Sequence, residues 1–237
     1  MPAGNLSISQ LLSEGWQSFK KNSSSVVPMF IGLQTVVFLL TYFLKAPFLN
    51  ILMIPVVMLM QITLLKTHTT PIEKFDYEQI LALKDPLLKN KIWRLVWTYI
   101  VYFFLLFIVS LPAGIAGAFI ALKYENIALL YLAIIPLGIL LTPFIVYWYF
   151  FAYIVLDQNL KGIAALKKSK EMIKDHWWKT FAIFVIAAII SGVISSVITS
   201  IGGQDALIGG LLMAVFSGLS SVYFGYVAVA YYFDLKK

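Results

Sequence analysis

Cysteine is absent from this chain, and arginine occurs once, at Arg94, against seventeen lysines. The first absence excludes disulfides, thiolate metal sites and cysteine nucleophiles, and leaves the redox compartment open. Histidine occurs only at His68 and His176, in separate segments with no second donor at ligand spacing. A metal site needs more donors than that. Charged residues make up 12% of the chain and apolar ones 61%. A soluble domain of 237 residues cannot hide so many apolar side chains, because its surface-to-volume ratio leaves too much to cover. Lipid has to cover them. Residues 1–25 contain no apolar stretch followed by a small-residue cleavage site, so no removable signal peptide is expected, and the first span is expected to direct insertion.

What the chain does have is six long apolar runs, at 26–44, 48–65, 95–122, 127–156, 181–201 and 206–233. At a helical rise of about 1.5 Å per residue, each is long enough to cross roughly 30 Å of hydrocarbon. The segments around them carry two, one, six, one, six, none and two basic residues in chain order, so sixteen of the eighteen fall on one side. The positive-inside rule then predicts that both termini are cytoplasmic. The net charge of +7 would suit a nucleic acid, but these lysines lie beside the apolar runs. Attraction to anionic lipid headgroups, worth about 1 kcal/mol per basic residue near the surface, accounts for them more simply, and no nucleic-acid partner is expected. The predicted fold is all-α: one membrane domain, residues 1–237, of six transmembrane helices in three hairpins.

Each hairpin is preceded by an amphipathic segment on the lysine-rich side, of the kind that lies in the headgroup plane with its apolar side down. In the first, 7–22, Ile8, Leu11, Leu12, Trp16 and Phe19 form one stripe, and Ser7 with Gln10 has the spacing of a capping box. The second, 76–91, starts at Asp76 with Gln79 three residues on, and aligns Ile80, Leu83 and Leu87 until Pro86 disturbs it. The third, 160–177, sets Ile163, Leu166, Ile173 and Trp177 against Lys167, Lys168, Lys170 and Lys174, with Lys161 at its start. Aligning LLSEGWQSFKKN, LALKDPLLKNKI and ALKKSKEMIKDH suggests a weak internal repeat of one surface helix plus one hairpin.

The stretch from Asp157 to Phe184, DQNLKGIAALKKSKEMIKDHWWKTFAIF, carries an acidic residue at the end of span four, an Ala-Leu-x-x-Ser helix and a Trp leading into span five. Through Asp157, Ala165, Leu166, Ser169 and Trp177, and through the opening LLSEGWQSFKKN, the chain resembles bacterial six-span membrane proteins related to the membrane domain of glycerophosphodiester phosphodiesterases. The resemblance implies a six-span fold in the bacterial cytoplasmic membrane. In members that carry an enzyme, the phosphodiesterase activity belongs to a separate soluble domain, so the resemblance implies no such chemistry for these residues.

Ionisable residues inside a membrane are costly and mark function, yet the six apolar runs contain none. No catalytic residues, cofactor or metal can be assembled from what remains. Gln34 and Gln61, near the middles of spans one and two, are placed to hydrogen-bond across the first hairpin or to line a polar cavity. Tyr147, Trp148 and Tyr149 lie roughly 15 Å deep in span four and either satisfy one another or border that cavity. Asp157 either starts the third surface helix and pairs with Lys161, or positions a phosphate-bearing ligand. Ala188, Gly192 and Ser196 on span five, and Gly210, Ala214 and Gly218 on span six, form small faces expected to pack together. The expected function is non-enzymatic: engagement of anionic lipids through Lys161, Lys167, Lys168, Lys170 and Lys174, or of a membrane-protein partner. A transporter of an amphipathic or lipid-like solute remains the alternative.

Overall fold

A computed structural model of the chain describes residues 4–69, 86–124, 128–202 and 206–237. Among them there is helix and turn but no strand, and six helices are long and apolar enough to cross a membrane. The chain is an all-α, multi-pass membrane protein. Its helices are α1 (Ile8–Asn22), α2 (Val26–Leu44), α3 (Met53–Thr69, after a 3-10 turn at Pro47–Leu52), α4 (Pro86–Lys123), α5 (Ala128–Tyr147), α6 (Phe151–Gln158), α7 (Ile163–Ile173), α8 (Trp177–Gly202) and α9 (Ala206–Lys236).

The residues divide into two compact units, Met1–Leu83 with Trp178–Lys237, and Lys84–Trp177. In the first unit α9 is the central element, with α1, α2 and α3 packed on it. Its glycines explain why. A Cβ added at Gly218 would lie 3.0 Å from Ile31 Cγ1 of α2, Gly210 is covered by the ring of Phe38, and Gly225 by Leu64 of α3. Each notch lets a bulky neighbour reach the backbone, and the resulting dispersion contacts hold helices together where lipid removes the hydrophobic drive.

Helix α1 forms as its sequence predicts. The Gln10 N–H donates to Ser7 Oγ at 3.2 Å and the Ser7 N–H to Gln10 Oε1 at 2.7 Å, closing the capping box. Its apolar stripe is turned in part onto α9, although Trp16 keeps 49% of its surface exposed. Leu11 is fully buried, Gly15 abuts Val227, and Trp16 and Phe19 each stack edge-on with Tyr223, at 6.1 Å.

Three other expectations change. Most of the second amphipathic segment lies outside the described residues, and its last part, 86–91, belongs to α4, which runs unbroken through Pro112. Span four is not one helix: it is interrupted at 148–150, between α5 and α6. Finally, the small faces of spans five and six do not close on each other. Ala188, Gly192 and Ser196 are exposed, a Cβ at Gly192 would meet nothing within 4 Å, and the opposing glycines are occupied by α2 and α3. Larger side chains fill a glycine notch with more contacts than another small residue can.

Candidate functional site: the lysine helix and two buried polar centres

In the second unit, the start of α4 builds the turn that launches α7. Thr98 Oγ1 donates to Arg94 O at 2.7 Å and accepts from the Gly162 N–H at 2.8 Å, while Arg94 Nη1 donates to Asn159 O at 2.7 Å. Asn159 and Gly162 both have positive φ, 57° and 56°, a conformation that glycine and asparagine accept at least cost. The chain can therefore reverse within a few residues of α6.

Ser169 then ties α7 to the interruption in span four. Its hydroxyl donates to Tyr147 O at 2.8 Å and accepts from the Phe150 N–H at 3.1 Å. Breaking a helix in lipid leaves backbone groups without partners unless something else supplies them. One serine supplies both. With Ala165, Leu166, Ser169 and Ile173 buried, the rotation of α7 about its axis is set. Ile163, expected on the same apolar side, is 67% exposed.

The lysines consequently face away. Lys161, Lys167, Lys170 and Lys174 are exposed. Lys168 is partly covered and lies 3.8 Å from Glu171, one turn on, a surface pair of little energetic weight. Lys170 Nζ also sits 5.5 Å from the Tyr147 ring centroid, which couples the basic surface to the break below it. Of the expected aromatic group, Trp148 meets Tyr102 edge-on at 5.9 Å and Phe144 at 5.3 Å, and Tyr149 tilts against Phe150 at 4.9 Å. These rings pack. Asp157 lies partly covered near the end of α6.

The first unit holds a second polar centre. Gln34 is buried, but its amide oxygen accepts from Ser217 of α9 at 2.6 Å, so the last helix engages it. Gln61 is partly covered on α3. The third centre was not flagged by the sequence. Lys179 at the start of α8 pairs with Asp234 near the end of α9 at 3.6 Å, with side chains 17% and 4% exposed. Asp234 Oδ2 accepts from the Leu6 N–H at 3.2 Å, Lys179 donates to Gly4 O at 3.1 Å, and Lys179 sits 4.8 Å from the Tyr231 ring centroid. Thr180 and Tyr231 share a hydrogen bond of 3.2 Å beside them. The available signal is an acid between the apolar YYF and the closing lysines.

Between α8 and α9 lies a cavity of about 390 Å³ lined on both sides by serines. Neither Gln34 nor Gln61 lines it. Among the described residues no three His, Asp or Glu side chains are grouped to hold a metal ion. Comparison with protein-family models, curated proteins and solved structures finds no match to this chain.

Proposed function

We propose that this multi-pass membrane protein is a non-enzymatic protein of the bacterial inner membrane that engages anionic lipid headgroups through α7, with both termini cytoplasmic. The observation that carries the reading is the fixed rotation of α7. Four buried side chains and the Ser169 bridge hold one side against its unit, so Lys161, Lys167, Lys170 and Lys174 are presented together on the other. Preorganised cations need little ordering to meet headgroup phosphates, and each contributes about 1 kcal/mol near an anionic surface. The alternation of basic residues along the chain supports the orientation.

A facilitator of an amphipathic solute is the second reading, favoured by the interruption of span four, since discontinuous helices line substrate sites in many transporters. One experiment separates the two. Changing Lys167, Lys168, Lys170 and Lys174 together to Gln leaves the folded protein intact but lowers its preference for anionic over zwitterionic lipid, by up to about 1 kcal/mol per charge. Added salt removes the difference between parent and variant. Lipid exchange followed by native mass spectrometry reads the preference, and an unchanged lipid profile leaves the lysines as orientation signals and transfers the weight to the second reading.

A further inference from the structure

We infer that the turn joining α6 to α7 binds the phosphate of one anionic phospholipid, through Arg94, Lys161 and Trp97. The inference rests on the reading that this unit meets anionic lipid, and adds to it a discrete site that holds one molecule. All of its residues belong to the unit Lys84–Trp177.

Three donors stand around that turn. Arg94, the single arginine of the chain, is half-buried, and its Nη1 donates to Asn159 O at 2.7 Å. That bond uses one N–H of the guanidinium and holds the planar fork in place, with its other donors still to give. Trp97, three residues on, is half-exposed, and a Cβ added at Gly162 would lie 3.4 Å from its Nε1. The indole N–H therefore sits against the turn, and among the described residues it has no acceptor. Lys161, inside the turn, is exposed. Among the described residues neither Arg94 nor Lys161 pairs with a carboxylate, and Asp157, the nearest acid along the chain, is already engaged.

Side chains that can only donate select an anion. The arginine fork matches two oxygens of a phosphate, the lysine adds a point charge and the indole one more N–H. The surroundings make the source of that phosphate a lipid. Trp93 and Ile100, one turn to either side of Trp97 on α4, and Ile163, next to Gly162, are all more than half exposed. They lie near the start of the span-forming stretch Lys89–Ile120, and tryptophan at the end of a span sits at headgroup level. The donors are then at the depth of phosphate and the apolar side chains at that of the first acyl carbons, which also accounts for the outward position of Ile163.

The test delipidates the full chain in detergent, adds phosphatidylglycerol, phosphatidylcholine or diacylglycerol with matched acyl chains, and counts retained lipid by native mass spectrometry. One phosphatidylglycerol per chain is expected to persist where the other two are lost. Lys161→Gln with Trp97→Phe removes a charge and an N–H but keeps an aromatic ring and the Arg94 bond to the turn. It should weaken retention roughly thirtyfold, the size expected for one headgroup charge and one neutral hydrogen bond together. Arg94→Lys, which can still donate to Asn159 O but lacks the fork, should weaken it too. Changing Lys167, Lys168, Lys170 and Lys174 together to Gln should leave this one lipid in place while lowering the general preference for anionic lipid. Retention unchanged in the turn variants would overturn the site, whatever the four lysines do. Loss of the lipid in the turn variants, with a general preference that the four lysines do not alter, would keep the site and remove the wider role of α7. Equal retention of diacylglycerol or phosphatidylcholine would overturn the proposal in favour of apolar contact, and displacement of phosphatidylglycerol by millimolar glycerol phosphate would overturn it in favour of a soluble phosphate ester.

Discussion

Helices α8 and α9 follow one another, carry similar sets of glycine, alanine and serine, and are used in opposite ways. On α9, Gly210, Gly218 and Gly225 are each filled by a large side chain from α2 or α3, and Ser217 satisfies the buried Gln34. On α8, Gly192 faces open space, and Ser196 and Ser200 bond only their own helix. The fixed end of α8 is its first turn, where Lys179 meets Asp234 and Thr180 meets Tyr231. A run of small residues therefore permits close approach without specifying what approaches. In lipid, a small face left open costs little, because hydrocarbon covers it as well as another helix would.

The contrast breaks most severely at the clasp. Asp234→Ala leaves Lys179 largely buried without its counter-charge and removes the acceptor of the Leu6 N–H. The expected loss of stability is about 3 kcal/mol, the scale of opening a buried ion pair from one side, and Asp234→Asn, which can still accept from Leu6, should lose less. Thermal unfolding in detergent measures both. If Asp234→Ala unfolds with the parent, the clasp is not what anchors α8.

Next in size is the glycine pair. Gly218→Leu must push Ile31 and the backbone of α2 aside, since even a Cβ would come within 3.3 Å of Ile31 Cα, and should cost on the order of 1 to 3 kcal/mol. Gly192→Leu should be close to neutral. Equal destabilisation by both substitutions would show that α8 is packed as tightly as α9. The smallest effect sharpens the polar side of the comparison: Ser217→Ala removes the donor to Gln34 and should cost about 1 kcal/mol, whereas Ser196→Ala on α8 removes only a bond within its own helix and should change the unfolding temperature little.

Much of the architecture was legible because its causes are local. The run Val26–Leu44 is one helix with the expected bounds, and the Ser7 and Gln10 capping box is formed as read. The interruption of span four was not legible, since its cause is Ser169, about twenty residues downstream, whose hydroxyl offers the freed Tyr147 and Phe150 groups an alternative to the helix. Hydropathy averages over such a break. The resemblance motif did single out Ser169, but without a role for it. Among the candidate site residues, the outward placement of Lys167, Lys170 and Lys174 follows from helical periodicity, whereas Gln34, expected to bond across its hairpin or to line a polar cavity, is engaged by a helix nearly two hundred positions away. Lys179 and Asp234 were hidden in the count of surface charge, because burial depends on what folds over a residue.

By itself the sequence determined that this is an all-helical protein with six helices long and apolar enough to cross a membrane, because transfer into lipid and backbone hydrogen bonding are decided segment by segment. Tertiary structure alone decided that α9 is the centre of its unit, that α1 rests on α9, that span four breaks, and that α8 leaves a serine-lined space beside it. Those outcomes depend on which side chains fit which notches, and lipid, being as apolar as the helices, favours no pairing in advance.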